Sequence, residues 1–178
     1  MLKNLIHEIK RFHTKKVIVY CATCYFGLKI LAPELIENYD LEIQHATNFI
    51  ADVIQERGEN LFLPTRDHVY TIHDSCHLAH GPRGDASSIR RLISMLPGAE
   101  IREMKHTKND SLCDLYYVLM ALRNPLTFLF KGRKIHVIEE ATETEAETLC
   151  SLCPGCHALL SICGGDIWTL LGKKSPRI

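Results

Sequence analysis

The chain has 178 residues, with 46% apolar and 24% charged side chains, the composition of an ordinary soluble domain with a real core. Lys plus Arg and Asp plus Glu both number 21, so no global charge attracts nucleic acid or an anionic membrane. The N-terminal apolar residues are interrupted by Lys3, His7, Glu8 and Lys10, which excludes a signal peptide or a membrane span there. Eight cysteines without an export signal read as ligands or redox groups in a reducing, cytoplasmic setting rather than as a disulfide framework.

In chain order, Leu2, Leu5, Ile6 and Ile9 mark one face of a first helix. Val17 to Tyr20 is a continuous apolar run, the pattern of a strand buried on both faces, and it leads into Cys21-Ala-Thr-Cys24. A helical pattern follows until Pro33, which opens a second helical piece ending near Tyr39. Ala46, Phe49, Ile50, Val53 and Ile54 form another helix face, closed by Gly58. Val69 to Ile72 is a second strand, running into His73-Asp74-Ser75-Cys76-His77. Asp85 is placed to cap a helix with the face Ile89, Leu92, Ile93 and Leu96. A short strand is expected around Ile101 to Met104, followed by a polar loop to Ser111 and then Cys113-Asp114. Leu115, Val118, Leu119 and Leu122 are helically spaced, whereas Ile135 to Ile138 fits either a strand or a helix start.

The last strand, Thr148 to Leu152, enters Cys153-Pro-Gly-Cys156, and a helix follows until Gly164-Gly165. Strands alternating with helices of this length imply an α/β fold with a mostly parallel sheet and helices on both faces. Cysteines at a helix start meet exposed N–H groups and the positive end of the dipole, which favour thiolates. A Cys-x-x-Cys in that position suits either metal or cluster ligation or thiol–disulfide exchange.

The two Cys-x-x-Cys turns match in context: each follows an apolar strand, each has a leucine four residues past its second cysteine, and they stand 132 residues apart (153 − 21). Residues 1–60 are therefore expected to be the remnant of a first repeat, and residues 61–178 a complete second one. In that second unit the cysteines are Cys76, Cys113, Cys153 and Cys156. Closing each long loop between them costs about 3 kcal/mol. A bound metal centre, on the order of 10 kcal/mol, offsets that cost.

This pattern resembles the cysteine-rich CCG-domain family, whose members include a heterodisulfide reductase subunit, the anaerobic glycerol-3-phosphate dehydrogenase iron–sulfur subunit and lactate-utilisation iron–sulfur proteins. His73-Asp74-Ser75-Cys76-His77-Leu78 is similar to the family's His-Asp-Pro-Cys-His-Leu, Ser111-Leu112-Cys113 to the lead-in of its Cys-Cys-Gly, and Cys153-Pro-Gly-Cys156 to its closing turn. Asp114 and Leu115 stand where the family has the second cysteine and the glycine.

The resemblance implies an iron–sulfur cluster on Cys76, Cys113, Cys153 and Cys156, four thiolates being the ligand count of a [4Fe-4S] cubane. Zinc is the alternative, because four thiolates suit it equally. Cys150, Cys21, Cys24 and Asp114 are lesser ligand candidates, and Cys163 reads as a small buried hydrophobe. His77 is the candidate catalytic residue, donating to a cluster sulfur or protonating a bound thiol. His73 reads as a structural hydrogen bonder and Asp74 as a cap or turn residue.

The implied function is an iron–sulfur subunit of an anaerobic redox complex, passing electrons to or from a thiol/disulfide or organic-acid substrate. The implied partners are other iron–sulfur or flavin subunits, among them one with a full CCG repeat, and the location is cytoplasmic or peripheral to a membrane complex. The rival reading is a zinc-stapled or metal-free structural subunit docking to such a complex.

Overall fold

The computed structural model describes residues 2–57, 67–80, 84–113, 123, 136–161 and 176–178. The expected helix over residues 115–122, Asp114, Cys163 and the stop at Gly164-Gly165 lie outside the described residues.

The N-terminal part is built on α1 (Leu2–Lys10), whose Ile6 is buried while Leu2 and Ile9 pack beside it. Strand β1 (Lys16–Val19) pairs in parallel with β2 (Glu42–His45), with Lys16 opposite Glu42 and Val19 opposite His45. Between them the chain forms α2 (Ala22–Tyr25), a π-helical stretch (Phe26–Leu31) and α3 (Ala32–Leu35) without a break. Pro33 therefore lies inside a continuous helical run rather than opening a separate helical piece, and its missing N–H removes one backbone donor just past the π-helical stretch. Strand β2 is not among the strands expected from sequence. Its signal is the short alternation Leu41, Ile43, His45, all buried, which a glutamate and a glutamine dilute.

Strands β3 (His68–His73), β4 (Ala99–Ile101) and β5 (Thr148–Ser151) form a second parallel sheet in the order β4-β3-β5. Side-chain alternation assigns its two faces. Leu149 joins the cluster of Val137, Ile138 and Ala141 from α7 (His136–Glu143), whereas Cys150 joins Ile72 with Ile89 and Ile93 from α6 (Ser88–Ser94). Helices thus cover both faces, as the strand–helix alternation implies. The described part of the ambiguous run, 136–138, belongs to a helix, and burial at 137, 138 and 141 follows helical spacing. Each fully buried leucine or isoleucine here contributes about 1.5–3 kcal/mol.

Helix α4 (Ala46–Arg57) packs on α6 through polar bonds as well as apolar contact. Thr47 donates to Ser88 at 2.9 Å, Asp85 accepts from the Ser88 N–H at 2.9 Å, and Asn48 reaches Asp85. Asp85 therefore caps α6 as expected and also binds the preceding half. Fully buried His45 bonds Thr47 at 2.8 Å and the Tyr20 carbonyl at 3.0 Å.

Burial holds His45 below the ordinary histidine value, with the Tyr20 carbonyl and Asp85 opposing. The unfolded chain then takes up this proton first as pH falls, so stability is lost from about pH 6.5 downward, toward the lowered folded value. The melting temperature should fall across that window, and H45Q should fall less steeply. An equal slope in both would assign the dependence to other groups.

Candidate metal centre

In a parallel sheet the strand carboxyl ends share one edge, and the loops leaving them meet there. Strands β3 and β5 are adjacent, with His73 opposite Ser151. The chain leaves β3 through buried Asp74 and Ser75 into α5 (Cys76–Ala79), and leaves β5 through Leu152 into α8 (Pro154–Leu160). Each turn places its cysteines at a helix start. Cys153 is the extended residue capping α8, with Pro154 and Gly155 turning the chain and Cys156 completing the first turn.

The Cys153–Cys156 pair is buried, at 9% and 7% exposure, and is polarised toward a thiolate. The Cys156 thiol donates to Cys153, and its backbone N–H faces the same sulfur at 3.5 Å. Burial opposes ionisation, but the Ser75 hydroxyl and the Gly155 N–H add to the donors, and the Cys153 thiol is pulled down to about 5. Ser75 Oγ is buried with no fully formed hydrogen bond among the described residues, so its dipole is available to the sulfur. Cys150 is the opposite case. It packs with the isoleucines on the far face of β5, and burial pushes its thiol up to about 11.

The third arm carries Cys113. Its loop includes a 3-10 turn (Lys108–Asp110) that packs on α5. Ser111, two residues before Cys113, bonds His80 Nε2 at 3.1 Å just past the end of the helix that Cys76 opens. Asp74 Oδ2 accepts the Lys108 N–H at 2.7 Å. The same carboxylate takes a two-pronged bond from Arg90, at 2.8 and 2.7 Å, and Arg90 also grips Glu103 at 2.6 and 2.7 Å. Burial works against the Arg90 charge, yet Glu103 and Asp74 together hold its pKa above the ordinary value. Farther along, Glu140 of α7 bonds both the backbone N–H and the ring of His106.

Asp74 is thus more than a cap or turn residue: it ties the Cys76 turn to the Cys113 loop. Its partners Arg90 and Lys108 lie 16 and 34 residues away, and Arg90 in turn binds Glu103, so no local pattern announces the network. Sequence spacing likewise gives no sign of His80 or of the Glu140–His106 pair.

The sequence-predicted site residues are therefore brought to one edge in unequal degree. Cys153 and Cys156 touch, Cys76 follows Ser75 beside them, and Cys113 arrives on the anchored loop. Among the described residues no three His, Cys, Asp or Glu side chains gather closely enough for a single ion. A cluster makes a different demand, because iron and sulfide atoms lie between its thiolates. The donor set, the Cys153 thiolate and the waiting Ser75 hydroxyl suit such a group.

Cys21 and Cys24 form a second turn of the same kind, Cys21 capping α2 in an extended conformation. This turn packs on α5, where His77 bonds Thr23 Oγ1 at 3.1 Å and stacks on Phe26 at 5.1 Å and 21°. His77 thus has its ring against the first Cys-x-x-Cys helix.

A parallel sheet delivering Cys-x-x-Cys and His-Asp-x-Cys-His turns to one edge defines a cysteine-rich redox or metal-binding domain. Residues 70–161, more than half the chain, match the cysteine-rich CCG domain, and the protein belongs to that family. It is 29% identical over 162 residues to one subunit of the dihydromethanophenazine:CoB–CoM heterodisulfide reductase of Methanosarcina barkeri, covering 90% of this chain and 39% of that relative. The corresponding Methanosarcina mazei protein, of the same name, is 27% identical over 157 residues, covering 88% of this chain and 37% of its own length. The chain thus spans about two-fifths of these relatives.

Proposed function

We propose that the chain is an iron–sulfur subunit of a redox complex resembling heterodisulfide reductase, carrying electrons through one [4Fe-4S] cluster held by Cys76, Cys113, Cys153 and Cys156. The observation that carries this reading is the arrival of three cysteine-bearing segments at one carboxyl edge, one of them already polarised to a thiolate. CCG membership and the likeness to the Methanosarcina heterodisulfide reductase proteins support a redox subunit of the iron–sulfur type. When bound, such a cluster accepts and donates single electrons. The chain's residues supply thiolates, hold the Cys113 loop through Asp74, and keep the Cys153–Cys156 pair buried from water. Partners on this reading are other iron–sulfur or flavin subunits, among them one bearing a full CCG repeat, with the substrate a thiol/disulfide or an organic acid. No described helix is long and apolar enough to cross a membrane, which suits a protein that docks to such a complex.

Residues 1–60 fit the closing part of a first repeat on this reading. Strands β1 and β5, Lys16–Val19 and Thr148–Ser151, stand at the same 132-residue offset as the two Cys-x-x-Cys turns. Each also has a parallel neighbour drawn from the chain after its cysteine helix: β2 for β1, and the single bridge from Thr148 to Arg177 for β5.

Asp114 takes the place of the family's second adjacent cysteine, and a hard carboxylate is a poorer iron ligand than thiolate. On our reading it stays outside the coordination sphere and disfavours reduction by its charge. D114N should therefore raise the midpoint potential of the reconstituted protein, followed by its visible spectrum, without changing the cluster type. Loss of the cluster in D114N would make the carboxylate a ligand and overturn the four-cysteine assignment. Electron transfer itself is read by reducing the reconstituted protein with dithionite and reoxidising it. A reversible one-electron titration is expected, and an irreversible bleach would contradict it.

A further inference from the structure

The apolar face that the sequence marks on α4, at Ala46, Phe49, Ile50, Val53 and Ile54, is not the face that the fold buries. The helix turns Thr47 and Ala51 inward instead. One flank is tied down by polar bonds: Asp52 accepts from Gln44 of β2 at 2.7 Å and from Arg91 of α6 at 2.6 Å. The opposite flank carries Ala46, Ile50 and Val53 at helical spacing, on a helix that touches β1 as well as β2. Ile50 is 45% exposed there, with Phe49 beside it at 36%. On β1, Ile18 and Tyr20 are 46% and 68% exposed, and among the described residues β2 is the strand's one sheet neighbour. In the second unit the matching positions, 132 residues later, are Cys150 and Leu152. There Ile72 of β3 and Ile89 and Ile93 of α6 cover them. The matching face of the first unit has neither a second strand beside β1 nor a helix over Ile18 among the described residues.

We propose that two copies of the chain meet on this face, β1 of each pairing antiparallel with the other about a twofold axis at Ile18. Such an axis, perpendicular to the sheet, joins β2-β1 to its copy as four strands and keeps both α4 helices on one side. Centred on Ile18, it sets Lys16 across from the partner's Tyr20. Like charges are thereby kept apart, and a cation meets an aromatic ring. Helix α4 starts at the carboxyl end of β2 and runs back over the strand. At about 1.5 Å per residue, Ile50 returns roughly to the level of Gln44, the residue paired with Ile18. The same axis therefore passes near Ile50, and one contact covers both the strand edge and the helix flank. The area suits a dimer. With roughly 200 Å² for a whole side chain of this size, Ile18, Tyr20, Phe49 and Ile50 expose about 400 Å² of mostly apolar surface. That is about half of what each partner gives a standard interface, and the strand edge and polar rim supply the rest.

The test is sedimentation equilibrium of the anaerobically purified full chain across a dilution series, with reductant present so that no intermolecular disulfide contributes. A dimer that dissociates on dilution is expected. I18K and I50E should each sediment as monomers with unchanged circular dichroism, because the twofold sets each new charge against its own copy. Mixing I50E with I50K should restore the dimer, which proteins that had merely lost their fold could not do. A wild type that stays monomeric throughout, the outcome if a different chain covers this face, would overturn the proposal. So would dimers that I18K and I50E leave intact, or a mixture of I50E and I50K that stays monomeric. Visible absorption recorded on the same samples reports the cluster separately, so failure of the dimer is distinguishable from failure of the cluster assignment.

Discussion

Replacing Cys153 by serine is expected to abolish the visible charge-transfer absorption of the anaerobically reconstituted protein, while C150A leaves it intact. Both cysteines belong to the same strand-and-turn segment, three residues apart, so chain position cannot explain a difference between them. Their environments can. Cys153 caps α8 with the Cys156 thiol, two backbone N–H groups and the Ser75 hydroxyl directed at its sulfur, and is pulled down to about 5. Cys150 is sunk among Ile72, Ile89 and Ile93 and pushed up to about 11, so it is held as a neutral thiol. Thiolate is the form that binds iron, so the ligand lies on the turn and the packing residue lies in the strand. Equal loss of colour in both variants would mean that the fold, and not the ligand set, had been damaged.

D74A is expected to cost about 3–5 kcal/mol of folding stability, the usual penalty for breaking a buried ion pair by removing one partner. The Asp74 side chain is 3% exposed and that of Arg90 is 15% exposed, so the guanidinium left behind could not be rescued by water. Glu103 would keep part of its charge satisfied, which places the effect toward the lower end of that range. The Lys108 N–H also loses its acceptor, and with it the loop leading to Cys113 loses its tether. Iron content after reconstitution should therefore fall together with the urea midpoint. D74N retains an acceptor for Lys108 and should recover more of the iron than of the stability. A D74A protein with full iron and less than about 1 kcal/mol of destabilisation would remove Asp74 from this role.

The parts of this architecture that are legible in the sequence are those encoded locally. Cys153-Pro-Gly-Cys156 carries its own turn and helix start, and Val69 to Ile72 carries the apolar run of a central strand flanked by helical patterns. In both, the residues that make the structure are neighbours in the chain. Strand β2 escapes because its four residues, Glu42 and Gln44 among them, give a weak alternation, made meaningful only by Val17 and Val19 across the ladder. The tethering role of Asp74 is hidden for the same physical reason: its partners come from α6 and from the turn at Lys108. His77 has its ring against the first Cys-x-x-Cys helix through Thr23 and Phe26, 54 and 51 residues upstream, a pairing no spacing rule anticipates. Tertiary contact decides each of these, and sequence periodicity reports only local fit.

Whether the four cysteines hold an iron–sulfur cluster is tested most directly by measuring iron, acid-labile sulfide and zinc together on anaerobically purified protein. Iron and sulfide are expected in equal amounts, approaching about four of each per chain at full occupancy. Zinc near one per chain with no labile sulfide would contradict the cluster, and would instead make these cysteines a structural staple.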